Sequence, residues 1–318
     1  MSRRRGTVLV VAPAADSHAR AVLAELRRCQ VRVATIDTAR FPERATLALR
    51  LDGEARWRGT LRSGASLSPE QVRAVWWRRP EPYRLHPSLR GHRRDGAFCA
   101  AHDALGAFWS ALDARWVNDP ARGDAAEHKP RQLALAARLG LAVPETLVTN
   151  DPGAARAFVA ARPDGETIHK NVTSAPSLLR HTAIARAGDR ALFASVRHLP
   201  LTFQERVRGT DLRATVVGDD LFAAEIDPGV ADPVDIRATL PRARMRPVRL
   251  SAGVASKLHR FVRELGLVYA TLDLRRRRDG AHIFLEVNPS GEWRYVEHRT
   301  GQPITAAVAD LLGRYARR

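Results

Sequence analysis

The sequence predicts an α/β chain made of several α+β lobes, on three observations. The first hundred residues alternate apolar runs of strand length with amphipathic runs of helix length, as a small α/β lobe requires. That alternation breaks at Asn118-Asp119-Pro120, a turn signal that marks a boundary. Beyond the break lie two hairpin signatures, one turning at Gly218-Asp219 and one at Asp279-Gly280.

A chain of 318 residues is long enough to bury two or three cores, and 45% apolar with 27% charged residues is ordinary for a globular protein. No apolar run approaches the ~20 residues needed to span a bilayer, so no membrane association is expected. The opening MSRRRGTVLVVA has the basic start of a targeting segment, yet VLVVA is only strand-length and the amphipathic run after it opens at Asp16. The expectation is a first strand and a cytoplasmic protein. Cys29 and Cys99 are too few for a disulfide framework or a zinc site and are expected to face the core from helices.

The formal net charge of +18 invites a nucleic-acid partner, but the basic residues are spread along the whole chain instead of forming one stripe. The charge favours anionic partners such as nucleotide phosphates or an acidic peptide. Arginine supplies nearly all of it; the only lysines are Lys129, Lys170 and Lys257. Where arginine is used so widely, a lysine hints at a site that wants a compact point charge, such as a phosphate cradle.

In order along the chain, VLVVA (8–12) reads as a strand, and Asp16 or Ser17 caps a helix over 17–28. Strand 31–36, β-rich runs near 46–52 and 56–62, strand AVWW (74–77) and a helix from about 93 to 113 complete the first lobe. It lacks a Gly-x-Gly-x-x-Gly turn, so it is not read as dinucleotide-binding. In AVWW one of Trp76 and Trp77 should fill the core and the other meet a neighbouring surface, because strand faces alternate. Arg78 and Arg79 follow them, facing either solvent or an acidic peptide. His86, His92, His102 and His181 are isolated and carry no metal-ligand spacing. After the break come a helix over about 124–139 ending at Gly140, strand 145–149, helix 152–161 and strand TIHKN (167–171). Strand LTFQERV (201–207), hairpin 214–226, helix 251–265, a second hairpin and a final helix over 304–316 close the chain. The Arg275–Arg278 run is expected to be a solvated hairpin tip. The domains predicted are 1–118, 119–195 and 196–318.

The second hairpin, YATLDLRRRRDGAHIFLEVNPSGEW, carries the chemistry. Pairing its strands brings Asp273 beside Glu286, while Glu286 and Asn288, two apart on one strand, share a face. Glu286 lies inside the apolar run Ile-Phe-Leu-Glu-Val, so it is half-buried and needs a partner. Three convergent oxygen donors suit Mg²⁺, which keeps some waters and takes its other ligands from substrate phosphates.

Three further pieces belong with the hairpin. Lys170 lies near a strand end, followed by Asn171-Val172-Thr173-Ser174-Ala175-Pro176, a run of small and hydroxyl residues able to close over phosphates. Lys129 opens a helix. FQERVRGTDLR offers main chain at Gln204, Glu205 and Val207 for an adenine edge, Asp211 for ribose hydroxyls, and Arg213 at the phosphate end.

Taken together these residues resemble the ATP-grasp ligases, which hold ATP between two α+β lobes, with an α/β pre-ATP-grasp lobe ahead of them. The strings VWWRRP, LGLAVPETLVTND and FLEVNPSGEWRYVEHRTGQPI narrow the resemblance to the graspetide synthetases, ribosomal-peptide maturases of the microviridin type. The phosphate loop departs from the glycine-rich form of many ATP-grasp ligases. The resemblance implies ATP and two Mg²⁺ ions as cofactors, and an acidic ribosomal precursor peptide with a leader segment as partner. It further implies activation of Asp or Glu side chains as acyl phosphates, then capture by Ser, Thr or Lys side chains as macrocyclic esters or amides. Lys129 and Lys170 would hold phosphates, Arg213 the oxyanion, and Arg294 and Arg299 the incoming carboxylate. Glu297 and His298 are available as a general base, and a homodimer could form through the first lobe. Two other readings stand beside this one. A ligase acting on free amino acids or a protein C-terminal tail keeps the fold and changes the substrate. An arginine-rich nucleic-acid-binding protein without ligase activity leaves the carboxylate hairpin unexplained.

Overall fold

The computed structural model describes residues 6–172, 182–230 and 232–317. The chain divides into two compact units, Met1–Ala121 with Leu267–Tyr269 and Pro303–Arg318, and Arg122–Gly266 with Ala270–Gln302.

The first unit is built on a parallel sheet of β1 (Thr7–Val11), β2 (Arg32–Ile36), β6 (Val72–Trp77) and β7 (Arg115–Val117) in the order β2-β1-β6-β7. Between β2 and β6 the chain forms an antiparallel meander of β3 (Thr46–Leu51), β4 (Trp57–Ser63) and β5 (Ala65–Leu67). Strand β1 is central, so both faces are covered and its residues Val8 to Val11 are at most 1% exposed. This explains why it reads as a continuous apolar run with no alternation. Helix α1 (Ser17–Arg28) is capped by Asp16, whose carboxylate accepts from the Ala19 amide at 2.6 Å, and α2 (Gly91–Ser110) buries Ala101, Leu105 and Phe108. The C-terminal helix, Ile304–Arg317, sinks Val308, Leu311 and Leu312 into this unit against α1 and β6. Asn118 ties in the Leu267–Tyr269 segment: its side chain accepts from the Val268 and Tyr269 amides at 2.9 and 3.0 Å and donates to the Tyr269 carbonyl at 2.8 Å.

Several expectations for this unit need correction. Trp76 is fully buried, but Trp77 also packs inside the unit, with ring centroids 5.6 Å from Trp109 and 6.1 Å from Trp116. Arg78 is not solvated; it is 1% exposed, with Asp16 3.5 Å away. Cys29 and Cys99 are exposed, because one caps the end of α1 and the other lies on the overhanging first half of α2. The final helix belongs to the first unit and not to a C-terminal lobe.

The second unit holds two antiparallel layers with their helices. Helix α3 (Pro120–Ala126) leads in, and α4 (Lys129–Arg138) restarts at Lys129 where Pro130 takes an early helical position. The single helix expected over 124–139 is therefore two. Gly140 ends α4 at φ +74°, a conformation that favours glycine. Next come β8 (Thr146–Thr149), α5 (Pro152–Ala160), β9 (Thr167–Asn171), β10 (Ala183–Ile184), α6 (Arg190–Val196) and β11 (Leu201–Glu205), with sheet order β10-β9-β11-β8. Their core gathers Ala155, Val159, Phe193, Leu201 and Phe203. Then β12 (Thr210–Val217), β13 (Asp220–Asp227), β14 (Arg244–Pro247), α7 (Ala252–Glu264), β15 (Tyr269–Arg276) and β16 (His282–Asn288) form a sheet in the order β14-β13-β12-β15-β16, followed by α8 (Arg294–Thr300). Among the described residues, no helix is long and apolar enough to cross a membrane.

Candidate active site

Strands β15 and β16 pair with Asp273 opposite Glu286 and Thr271 opposite Asn288, the register that places the two carboxylates side by side. The pairing slips between Asp273 and Leu274, which leaves Leu285 as an extra residue on β16. Such a bulge sharpens the local twist and re-aims neighbouring side chains. The turn after β16 presses onto β15: a Cβ at Gly291 would stand 1.6 Å from the Thr271 hydroxyl oxygen, so only glycine fits. The Asn288 side-chain oxygen accepts from the Ser290 amide at 2.9 Å, which fixes the orientation of that side chain.

Both carboxylates have cationic partners. Lys129 Nζ lies 2.8 Å from Glu286 Oε2. Arg213 Nη1 donates to both oxygens of Asp273, at 2.6 and 2.8 Å, while its Nη2 donates to the Glu292 carbonyl at 3.3 Å. Lys129 is aimed by a residue that sequence reasoning missed. Gln132, one turn further along α4 and 1% exposed, donates to the Val287 carbonyl at 3.0 Å and accepts from the Val287 amide at 3.0 Å. β16 is the outer strand of its sheet, and a side-chain amide thus satisfies main-chain groups that a further strand would otherwise take. Only a glutamine three residues after the lysine hinted at this.

Lys170 lies on β9, where its ammonium donates to Gln204 Oε1 at 3.0 Å, and Gln204 in turn donates to Thr146 Oγ1 at 2.8 Å. Burial pushes the Lys170 ammonium down to about 8, with the nearby charge of Lys129 adding to the fall and that of Glu286 opposing it. Burial also works to raise Glu286, but the charges of Lys129 and Lys170 outweigh it and hold that carboxyl below its usual value. For Asp273 burial wins: its carboxyl is raised even though Arg213 pulls the other way.

The segment expected to meet a nucleotide base is held from outside. The Glu205 amide donates to the Glu145 carbonyl at 2.9 Å, the Arg206 amide to the Glu166 carbonyl at 2.9 Å, and Val207 is buried. Asp211, read from sequence as a ribose acceptor, is instead clasped by Arg275, whose Nε and Nη2 donate to its two oxygens at 2.8 and 2.9 Å. Arg275 also donates to the carbonyls of Val207 and Pro233, each at 2.7 Å. Burial raises the Asp211 carboxyl against the pull of Arg275. The arginine run is therefore solvated only at its last residue, Arg278. Arg275 is 6% exposed, Arg276 Nη2 donates to Glu225 at 2.6 Å, and Arg277 Nη2 donates to Glu205 at 2.5 Å. Arg275, Arg276 and Arg277 have each found an acid on a neighbouring element, which linear spacing cannot reveal, while Arg278 is exposed.

The two arginines expected to receive a carboxylate part company. Arg294 lies 2.8 Å from His298 Nε2 across one turn of α8. Arg299 turns away and donates to the carbonyls of Leu240 and Pro241 at 3.0 and 3.1 Å, so its fork is occupied by main chain. Lys257 serves as a cap, donating to the Gly140 carbonyl at 2.6 Å. Asn171 and Val172 of the expected phosphate loop are described; Thr173, Ser174, Ala175 and Pro176 lie outside the described residues, as does His181. Among the described residues no group of three or more His, Cys, Asp or Glu side chains could hold a metal; the set here is two carboxylates and an amide.

Residues 7–124 match the family model of the MvdD pre-ATP grasp domain. Solved structures match nearly the whole chain. Macrocyclase MdnC from Microcystis aeruginosa MRC, bound with precursor peptide MdnA, is 26% identical at a TM-score of 0.85, covering 96% of this chain and 99% of that one. ATP-grasp ligase PsnB, complexed with a minimal precursor, Mg and ADP, is 28% identical at a TM-score of 0.79, covering 98% of each. The chain belongs to the ATP-grasp superfamily. Its homologues there are ligases of the graspetide type, and it carries the ATP-grasp fold behind an N-terminal pre-ATP-grasp α/β lobe. Macrocyclase MdnB, from the same Microcystis, is 27% identical at a TM-score of 0.79, covering 96% of this chain and 99% of that one. No curated protein matches the sequence. In this ATP-grasp ligase the family-model match ends at residue 124. Every residue of the candidate site lies beyond it, so the site rests on its own geometry.

Proposed function

We propose that this ATP-grasp ligase uses ATP and Mg²⁺ to activate Asp or Glu side chains of an acidic ribosomal precursor peptide. The activated acyl groups are joined to Ser, Thr or Lys side chains, giving macrocyclic esters or amides. The observation that carries the reading is the gathering of Asp273 and Glu286 with Lys129 and Arg213 at the end of one hairpin. Homology to MdnC and PsnB, whose structures hold precursor peptides, supplies the substrate class.

The donor set fits the metal. Asp273, Glu286 and Asn288 offer two carboxylates and an amide oxygen, the hard donors that Mg²⁺ takes. These residues would hold the two ions, which would supply positive charge against the charge that develops during phosphoryl transfer. The chain's own groups do the rest. Lys170, held by Gln204 at 3.0 Å, and Lys129 bind phosphate oxygens and position the nucleotide. The main chain of Gln204 to Val207 receives the adenine. Asp211 acts through Arg275, fixing that segment from behind.

Chemically, a carboxylate is a poor acylating agent because its leaving group would be oxide. A carboxylate oxygen therefore attacks the γ-phosphorus and ADP departs, which leaves an acyl phosphate. The substrate hydroxyl or amine then attacks the acyl carbon, phosphate leaves, and the nucleophile loses a proton. Arg213 and Arg294 are assigned to the carboxylate end of this sequence. The working compartment is the cytoplasm, and a homodimer would use the first unit.

The test is the intact mass of an acidic peptide encoded beside the gene, after incubation with protein, ATP and Mg²⁺. Loss of one water per bond, only with ATP, is expected. Unchanged mass with ATP consumed on free amino acids would replace the reading by a small-molecule ligase.

A further inference from the structure

We propose that Arg213 stands in for the metal on Asp273 and is released to an acidic peptide side chain only when the metal arrives. The inference rests on the metal reading above and adds an order of binding to it. One guanidinium nitrogen of Arg213 covers both oxygens of Asp273, at 2.6 and 2.8 Å. The Arg213 side chain is 12% exposed and that of Asp273 33%, so the pair is half-buried and solvent reaches it from the carboxylate side. Its other terminal nitrogen is anchored more loosely, to the Glu292 carbonyl at 3.3 Å. Glu286 is matched in the same way by Lys129 at 2.8 Å.

An ion that takes an Asp273 oxygen at the ~2.0–2.1 Å typical of Mg²⁺ meets Arg213 on the same carboxylate. Like charges so close in a half-buried site repel strongly, and the Asp273 charge that held Arg213 is now shared with a dication. Arg213 swings about its Glu292 anchor toward the next anion available, which is the incoming carboxylate. A planar fork suits that group. Before the metal binds, Arg213 is committed to Asp273 and the carboxylate subsite is closed. The device prevents an acidic peptide from filling the site ahead of the metal–nucleotide complex.

Binding linkage makes this testable without turnover. If the metal frees Arg213 for the peptide, each strengthens the other's binding by the same factor, roughly five- to 150-fold for coupled sites. The probe is a fluorescein-labelled peptide of alternating threonine and glutamate, titrated into the full chain by anisotropy with and without Mn²⁺ and ADP. Wild type should bind it at least about fivefold more tightly with Mn²⁺ and ADP than without. Asp273→Asn, nearly isosteric, should bind it more tightly than wild type in the absence of metal and gain nothing from Mn²⁺. Adding Arg213→Gln to that variant should erase the gain, which separates Arg213 from the many surface arginines. Arg213→Gln alone should tighten Mn²⁺ binding, read by calorimetry, because a competitor for Asp273 has gone. If wild type binds Mn²⁺ but Asp273→Asn shows no gain and Arg213→Gln leaves Mn²⁺ affinity unchanged, the stand-in role is overturned and the metal reading survives. If wild type binds no Mn²⁺ with ADP, both fall.

Discussion

Lys170 is the side chain whose environment says most about its work. It is held by Gln204 at 3.0 Å and its ammonium is pushed down to about 8, chiefly by burial. In the free protein it therefore loses its proton as pH rises through about 8, well below the 10.5 of an exposed lysine. A phosphate ligand needs the charged form. ATP affinity should fall as pH rises from 7 to 9, and binding near pH 8.5 should take up a proton, seen as a buffer-dependent heat. Lys170→Met should bind ATP weakly at every pH in that range; a pH slope unchanged from wild type would refute the assignment. The linkage to stability has the opposite sign. Between about 8 and 10.5 the unfolded chain holds a proton that the folded chain does not, so this residue makes stability rise with pH across that window. Asp273→Asn and Glu286→Gln should each abolish ADP release with the fold intact, checked by coupled assay and thermal melt.

The hairpin register, Asp273 against Glu286, was legible in the sequence because two apolar runs flank an Asp-Gly turn, and a period of two then fixes which side chains meet. What holds the hairpin in place was not legible. Gln132 on α4 satisfies the Val287 main chain from both sides, and its removal leaves a buried donor and a buried acceptor unpaired. Gln132→Ala should cost about 2–4 kcal/mol of stability by denaturant titration, at ~1–2 for each group, and should lower activity by misplacing Lys129. Asp211→Ala should cost about 3–5 kcal/mol, because it strands the buried Arg275. If Asp211 were a ribose ligand alone, its loss would raise the KM for ATP and leave the melt unchanged.

For the molecule as a whole, the chain leaves its first unit, builds the second and returns. The C-terminal helix buries Val308, Leu311 and Leu312 in the first unit, so a fragment ending at Ala121 lacks part of its own core. Such a fragment should be insoluble or molten, while the same fragment with 303–318 fused back by a flexible linker should melt cooperatively. Equal behaviour of the two fragments would show that the helix is dispensable. At this scale the product also discriminates: ADP and phosphate are expected, and AMP would indicate adenylation.

The sequence by itself determined most of the element pattern and the carboxylate hairpin. These depend on periodicity, turn chemistry and capping, all of which act within a few residues. It also carried enough motif to resemble the right superfamily. The tertiary structure alone decided which charges neutralise which. Arg275 was destined for Asp211, Arg277 for Glu205, Arg213 for Asp273 and Lys129 for Glu286, across separations of 60 to 157 residues. Opposite charges attract at any separation along a chain, so with 52 lysines and arginines and 34 acids the sequence permits far more pairings than the fold allows. Burial makes the selection: only where water is excluded does the identity of a partner become energetically decisive.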